Sequence, residues 1–121
     1  MHETPRIILD TNALLMPFQF KINLDMEIQR VAGYIEVCVP RSVINELKKL
    51  KTKYRDAALK LAKKYKIIET ELRGDKAIIE IVSEGDYVVT NDENLMKKLR
   101  KKKVHIIFLR EKKHLEVKFE R

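Results

Sequence analysis

The feature that most constrains this chain is a short apolar run cut off by an acid. Arg6-Ile7-Ile8-Leu9 is followed at once by Asp10-Thr11-Asn12. So brief a run, bounded by polar residues, reads as a buried strand. Similar short apolar runs follow, one of them again leading to an acid. Tyr34 to Val39 stops at Pro40, Tyr87-Val88-Val89 stops at Thr90-Asn91-Asp92, and Val104 to Leu109 is a further strand. Ile67 to Glu69 is a brief strand, and Leu115 to Phe119 reads as a final edge strand. Between them the spacing changes to that of helices. Leu24 to Ala32 closes near Gly33. Arg41 to Leu50 places Val43, Leu47 and Leu50 on one face, with Ser42 expected to cap its start. Tyr54 to Tyr65 repeats Ala57, Ala58, Leu61 and Ala62. Gly74-Asp75 opens a helix with Ile78, Ile79 and Val82 inward, and Asp92 to Lys102 buries Leu95, Met96 and Leu99. Ala13 to Asn23, interrupted by Pro17, receives no firm assignment. Strands separated by helices of about ten residues predict crossover units, a mainly parallel sheet and a layered α/β sandwich.

At 121 residues the chain is expected to form a single domain over 1–121. No apolar run approaches the roughly 20 residues that span a bilayer. The start, MHETPRIILDTN, breaks its apolar stretch at Asp10 and does not read as a signal peptide. Cys38 is the one cysteine, which fits a reducing cytoplasm. Collagen, coiled coil, disulfide scaffold and membrane protein are excluded.

Charge then points to a partner. Lys and Arg number 26 against 18 Asp and Glu, a formal +8. Between Lys48 and Lys66 lie nine basic residues and one acid, and Lys97 to Lys103 is basic at six of seven positions. Clusters so one-sided attract polyanions, nucleic acid first, although a solvated helix face is the plainer explanation of each. The aromatic residues form no base-stacking array.

Open parallel sheets bind ligands at the carboxyl ends of their strands. Asp10 and Asp92 are delivered to that edge by strands, Glu46 lies about one turn into the helix that begins near Arg41, and Asp75 sits at a helix mouth. Each has an ordinary alternative. Asp75 and Asp92 stand where N-caps belong, and Glu46 could be solvated beside Lys49. Asp10 is hardest to dismiss, since a charge so close to a core is costly. Together, four carboxylates at one edge would repel one another unless bridged by Mg²⁺ or Mn²⁺, the arrangement used in phosphodiester hydrolysis. Other chemistries lack their parts. His2, His105 and His114 are scattered, and no glycine-rich phosphate loop exists. Ser42 and Ser83 lack a nucleophile elbow, and Cys38 sits mid-strand.

Ile8-Leu9-Asp10-Thr11-Asn12, Val39-Pro40-Arg41-Ser42-Val43-Ile44-Asn45-Glu46-Leu47, Gly74-Asp75-Lys76-Ala77-Ile78 and Val88-Val89-Thr90-Asn91-Asp92-Glu93-Asn94-Leu95 together resemble the PIN-domain ribonucleases. The order spans about Arg6 to Leu109. The chain is most similar to short archaeal PIN proteins related to ribosomal-RNA processing endonucleases, and Leu15 to Lys21 also looks like that branch. Toxins of toxin–antitoxin pairs share the acids. The resemblance implies a three-layer α/β/α sandwich and Mg²⁺- or Mn²⁺-dependent cleavage of single-stranded RNA in the cytoplasm. It assigns Asp10, Glu46, Asp75 and Asp92 as catalytic metal ligands, with Glu71 or Glu93 as alternatives to Asp75, and Asn12 and Thr90 in support. Lys48, Lys49, Lys51, Lys53, Lys97, Lys98, Arg100 and Lys101 would hold the RNA backbone. A homodimer, an antitoxin or a ribosome-assembly partner is the expected protein partner, with apolar Ala13 to Phe20 a candidate contact. The alternative reading is a non-catalytic RNA-binding module within a ribonucleoprotein.

Overall fold

The computed structural model describes residues 4–118, so His2 and the expected strand end at Phe119 lie outside it. Arg6–Leu9 forms β1, Glu36–Pro40 β2, Lys66–Ile68 β3, Tyr87–Val89 β4, His105–Arg110 β5 and His114–Lys118 β6. The helices are α1 (Thr11–Phe20), α2 (Leu24–Ala32), α3 (Arg41–Lys49), α4 (Arg55–Ala62), α5 (Gly74–Ile81) and α6 (Glu93–Leu99), the last running on into a 3₁₀ turn at Arg100–Lys102. They surround one sheet of order β3-β2-β1-β4-β5-β6. All pairings are parallel except β5 with β6, which a tight hairpin turn over Glu111 to Lys113 makes antiparallel.

Side-chain alternation along the strands divides the core between two faces. Ile7, Leu9, Val39, Val89 and Ile107 pack under α1 to α4. Ile8, Cys38, Val88 and Ile106 pack under α5 and α6 with Ile78, Leu95 and Leu99. Helices therefore cover both sides, giving the expected three-layer α/β/α sandwich. The connections from β1 to β3 lie on one face and those from β3 to β5 on the other, so the winding reverses between β1 and β4. That is the crevice where open α/β sheets take ligands.

One local expectation is corrected and one open stretch is filled. Ala13 to Phe20 lies in α1, with Ala13, Leu14, Leu15 and Met16 buried and Pro17, Phe18 and Phe20 half-buried. Asp10 starts this helix by accepting Ala13 N–H at 2.8 Å, and core burial carries it past Pro17. Ser42 does not cap α3: Pro40 occupies that position, and Ser42 Oγ is buried without a hydrogen-bond partner. Among the described residues no helix is long and apolar enough to cross a membrane.

Candidate active site at the carboxyl edge of the sheet

Because β1 and β4 are neighbours, the residues that leave them meet at the reversal point. Asp10 follows β1 and is only 6% exposed. Its pKa is pushed up to about 6, first by burial and then by the charges of Asp92 and Glu46; hydrogen bonds from Thr90 and Ala13 pull the other way. Thr90 is fully buried after β4 and joins two of these acids. Its hydroxyl bonds the Asp10 carboxyl and accepts the Asp92 backbone N–H at 3.0 Å. Asp92 is also the N-cap of α6, taking Asn94 N–H at 2.9 Å and Leu95 N–H at 3.2 Å. Capping and a functional role are thus not exclusive for this residue. Glu46 projects from the second turn of α3 and is held by the Thr11 hydroxyl at 2.9 Å.

Asp75 stands differently. It lies in the first turn of α5 without capping it and pairs with Lys98 Nζ at 3.4 Å. Glu71, Arg73 and Lys76 line the same recess. Asp75 is not among the residues whose charges raise the Asp10 pKa. Glu71 borders this recess and the groove beside Glu46, whereas Glu93 is exposed in the first turn of α6.

Among the described residues, no three carboxylate, histidine or cysteine side chains stand close enough to enclose a metal ion by themselves. A partial oxygen shell still fits a hard divalent cation, since Mg²⁺ keeps several waters and takes one or two carboxylates. The carboxyl of Asp10, buried and facing two like charges, is the kind of group such a cation would relieve. Asp10, with Glu46 or Asp92 beside it and water filling the remaining positions, is therefore where one could be held.

The chain and its fold have known counterparts. Residues 7–112 match the family described as PIN like domain. The chain belongs to the PIN-like domain family. Ribonuclease VapC4 of Methanocaldococcus jannaschii is 32% identical, with 93% of this chain and 95% of that protein covered. Ribonuclease VapC9 of Archaeoglobus fulgidus is 30% identical, over 91% of this chain and 87% of its own length. Among solved structures, the PIN domain endonuclease Utp24 superposes with a TM-score of 0.80 at 28% identity, covering 94% of this chain and 91% of that one.

Around these carboxylates the remaining expected residues are dispersed. Lys48 and Lys49 line the groove that holds Glu46, together with Asn45, Thr70 and Arg73. Lys51 and Lys53 are exposed in the turn after α3, and Lys53 Nζ lies 5.2 Å from the centroid of the Tyr54 ring. Lys97, Lys98, Arg100 and Lys101 are exposed along α6 and its 3₁₀ extension. That cluster ends at Lys103, whose carbonyl accepts Gly85 N–H just before β4, at the opposite edge of the sheet. Asn12 is exposed and faces a separate groove with Gln19 and Phe20. His105 stacks beside Tyr87 at 4.8 Å, a structural role, and burial pushes the Cys38 thiol up, away from reactivity. Sequence reasoning missed Thr11 and Arg73. Thr11 was legible only once α1 was known to begin there. Arg73 sits in a loop with no periodic signal.

Proposed function

We propose that this PIN domain is a divalent-cation-dependent endoribonuclease that cuts single-stranded RNA at the carboxyl edge of its sheet. The observation that carries the reading is the buried Asp10 carboxyl at the topological reversal, its pKa raised first by that burial and then by the charges of Asp92 and Glu46. Its ribonuclease and endonuclease relatives support it. In this reading Asp10 would hold Mg²⁺ or Mn²⁺ together with Glu46 or Asp92 and bound water, with Asp75 extending the acidic edge from α5. When bound, the cation supplies a water of lowered pKa and neutralises charge on the phosphate. Thr90 and Thr11 orient the carboxylates, which keeps the donor oxygens from turning away when RNA binds. Lys48, Lys49 and Lys98 grip the backbone next to the acids; Lys51, Lys53, Lys97, Arg100 and Lys101 extend the positive field.

The setting is RNA maturation or toxin action in the cytoplasm, in company with an antitoxin, a ribosome-assembly partner or a second copy. Growth arrest on expression, relieved by Asp10→Asn, would assign the toxin role. The decisive test is cleavage of end-labelled single-stranded RNA with Mn²⁺ or Mg²⁺, with EDTA and Asp10→Asn as controls. Cleavage is expected to vanish in both. Metal should also raise the melting temperature of the wild type and leave Asp10→Asn unmoved. Tight binding without cleavage of any RNA, unaltered by EDTA, would overturn the enzyme reading in favour of an RNA-binding module.

A further inference from the structure

A second groove opens beside the acids and shares no lining residue with the lysine groove of α3. It runs between α1 and the β5–β6 hairpin, lined by Asn12, Met16, Gln19, Phe20 and Lys112 among others. Its lining includes Asn12, two positions after Asp10, and Asn91, the neighbour of Asp92, so it borders the chain segments that carry both acids. Its chemistry differs from that of the lysine groove. Asn12 and Gln19 are exposed amides, each with a donor and an acceptor side by side, the pattern that matches the edge of a nucleobase. Phe20 is packed half-buried on the core and contributes to the groove wall, offering a ring to a base. Lys112 and Glu111 place one cation and one anion at the rim.

The hairpin tip points the same way. Glu111 and Lys112 both adopt left-handed backbone, at φ 54° and 58°. The hairpin loop is three residues, Glu111 to Lys113, and non-glycine side chains in left-handed backbone cost roughly 1–2 kcal/mol each. Two long side chains are retained beside the groove despite that cost.

We infer that this groove binds the base of a nucleotide flanking the scissile phosphate, and that Gln19 and Phe20 set the sequence preference of cleavage. The inference rests on the endoribonuclease reading for its meaning, but its test does not need cleavage. Lysine contacts to phosphate carry no sequence information, so any preference must come from a surface of this kind.

The experiment is equilibrium binding, in EDTA, of labelled RNA pentanucleotides that differ at one base. Wild type should separate best from worst by about tenfold, the range of one amide–base contact. Gln19→Ala and Phe20→Ala should each reduce that ratio to below about threefold. Lys49→Ala should weaken all sequences alike and preserve the ratio. In Mn²⁺, cut positions on randomised RNA should shift in the same two variants. An unchanged ratio in both variants, or no discrimination by the wild type in either assay, would overturn the inference. Loss of self-association in Phe20→Ala with intact RNA ratios would give the groove to a second copy of the chain and overturn it equally. Absence of cleavage with any RNA would remove the nuclease reading alone, because the binding ratios decide the groove independently.

Discussion

Asp10 is stabilised by its proton. Its folded-state pKa of about 6 lies above the ordinary 3.8, so the native protein keeps the proton longer than the unfolded chain. That contribution is complete below about pH 4 and is lost as pH rises through about 6. Asp10→Asn retains the cap acceptor and cannot ionise. Without metal, we expect it to be more stable than wild type at pH 7, by at most about 3 kcal/mol, and nearly equal at pH 4. Thermal denaturation across that range checks this; a variant equally stable at both pH values would show that Asp10 is not strained. Thr90 supports two acids at once. Thr90→Ala should lower stability by about 1–2 kcal/mol and reduce cleavage on the order of tenfold, with Thr90→Ser recovering most of both. Equal kcat for Thr90→Ala and wild type would reduce Thr90 to packing.

Between elements, the buried clamp at Arg6 and Asp86 joins β1 to the start of β4. Asp86 is fully buried, accepts Arg6 N–H at 2.9 Å and Ser83 N–H at 2.9 Å, and pairs with Arg6 Nη2 at 3.2 Å. Among the described residues, removing Asp86 would leave the Arg6 guanidinium with only the Ile81 carbonyl, at 2.8 Å, and the Arg6 and Ser83 backbone N–H groups without their acceptor. Asp86→Ala should therefore cost roughly 3 kcal/mol in urea unfolding, and a loss below about 1 kcal/mol would mean that water replaces the clamp. The hairpin offers the opposite case. Glu111→Asn with Lys112→Gly relieves two left-handed side chains and should add about 1–2 kcal/mol, read as a raised melting temperature. Element by element, the amphipathic helices and apolar strands were legible because burial writes a period into the sequence. Helix α1 was not. Pro17 argues against a helix locally, and only the Asp10 cap and the buried Ala13 to Met16 outweigh it. Ser42 misled for the converse reason, since a good capping residue one position inside the helix cannot cap it.

Over the whole molecule, the formal +8 charge should make RNA binding strongly salt-dependent. Removing Lys48 and Lys49 together should reduce the slope of log affinity against log salt by about 1.4, if both meet phosphate on a single strand. An unchanged slope would place the RNA elsewhere. The basic clusters were plain in the sequence, but their distribution was not. Lys98 turns to Asp75 at the site, while Lys103 ends at the far edge of the sheet, because α6 crosses the sheet from one edge to the other. The acids show the same division. Composition and periodicity alone determined an α/β chain with acids just past two of its strands and two runs of basic residues, since strand length, helix spacing and charge runs are local properties. Which acids act on Asp10 was decided by tertiary structure. The sheet order sets β4, not the next strand in sequence, against β1 on the side opposite β2. That order is a choice among crossover arrangements with similar local patterns, and packing both faces of the sheet is what selects it.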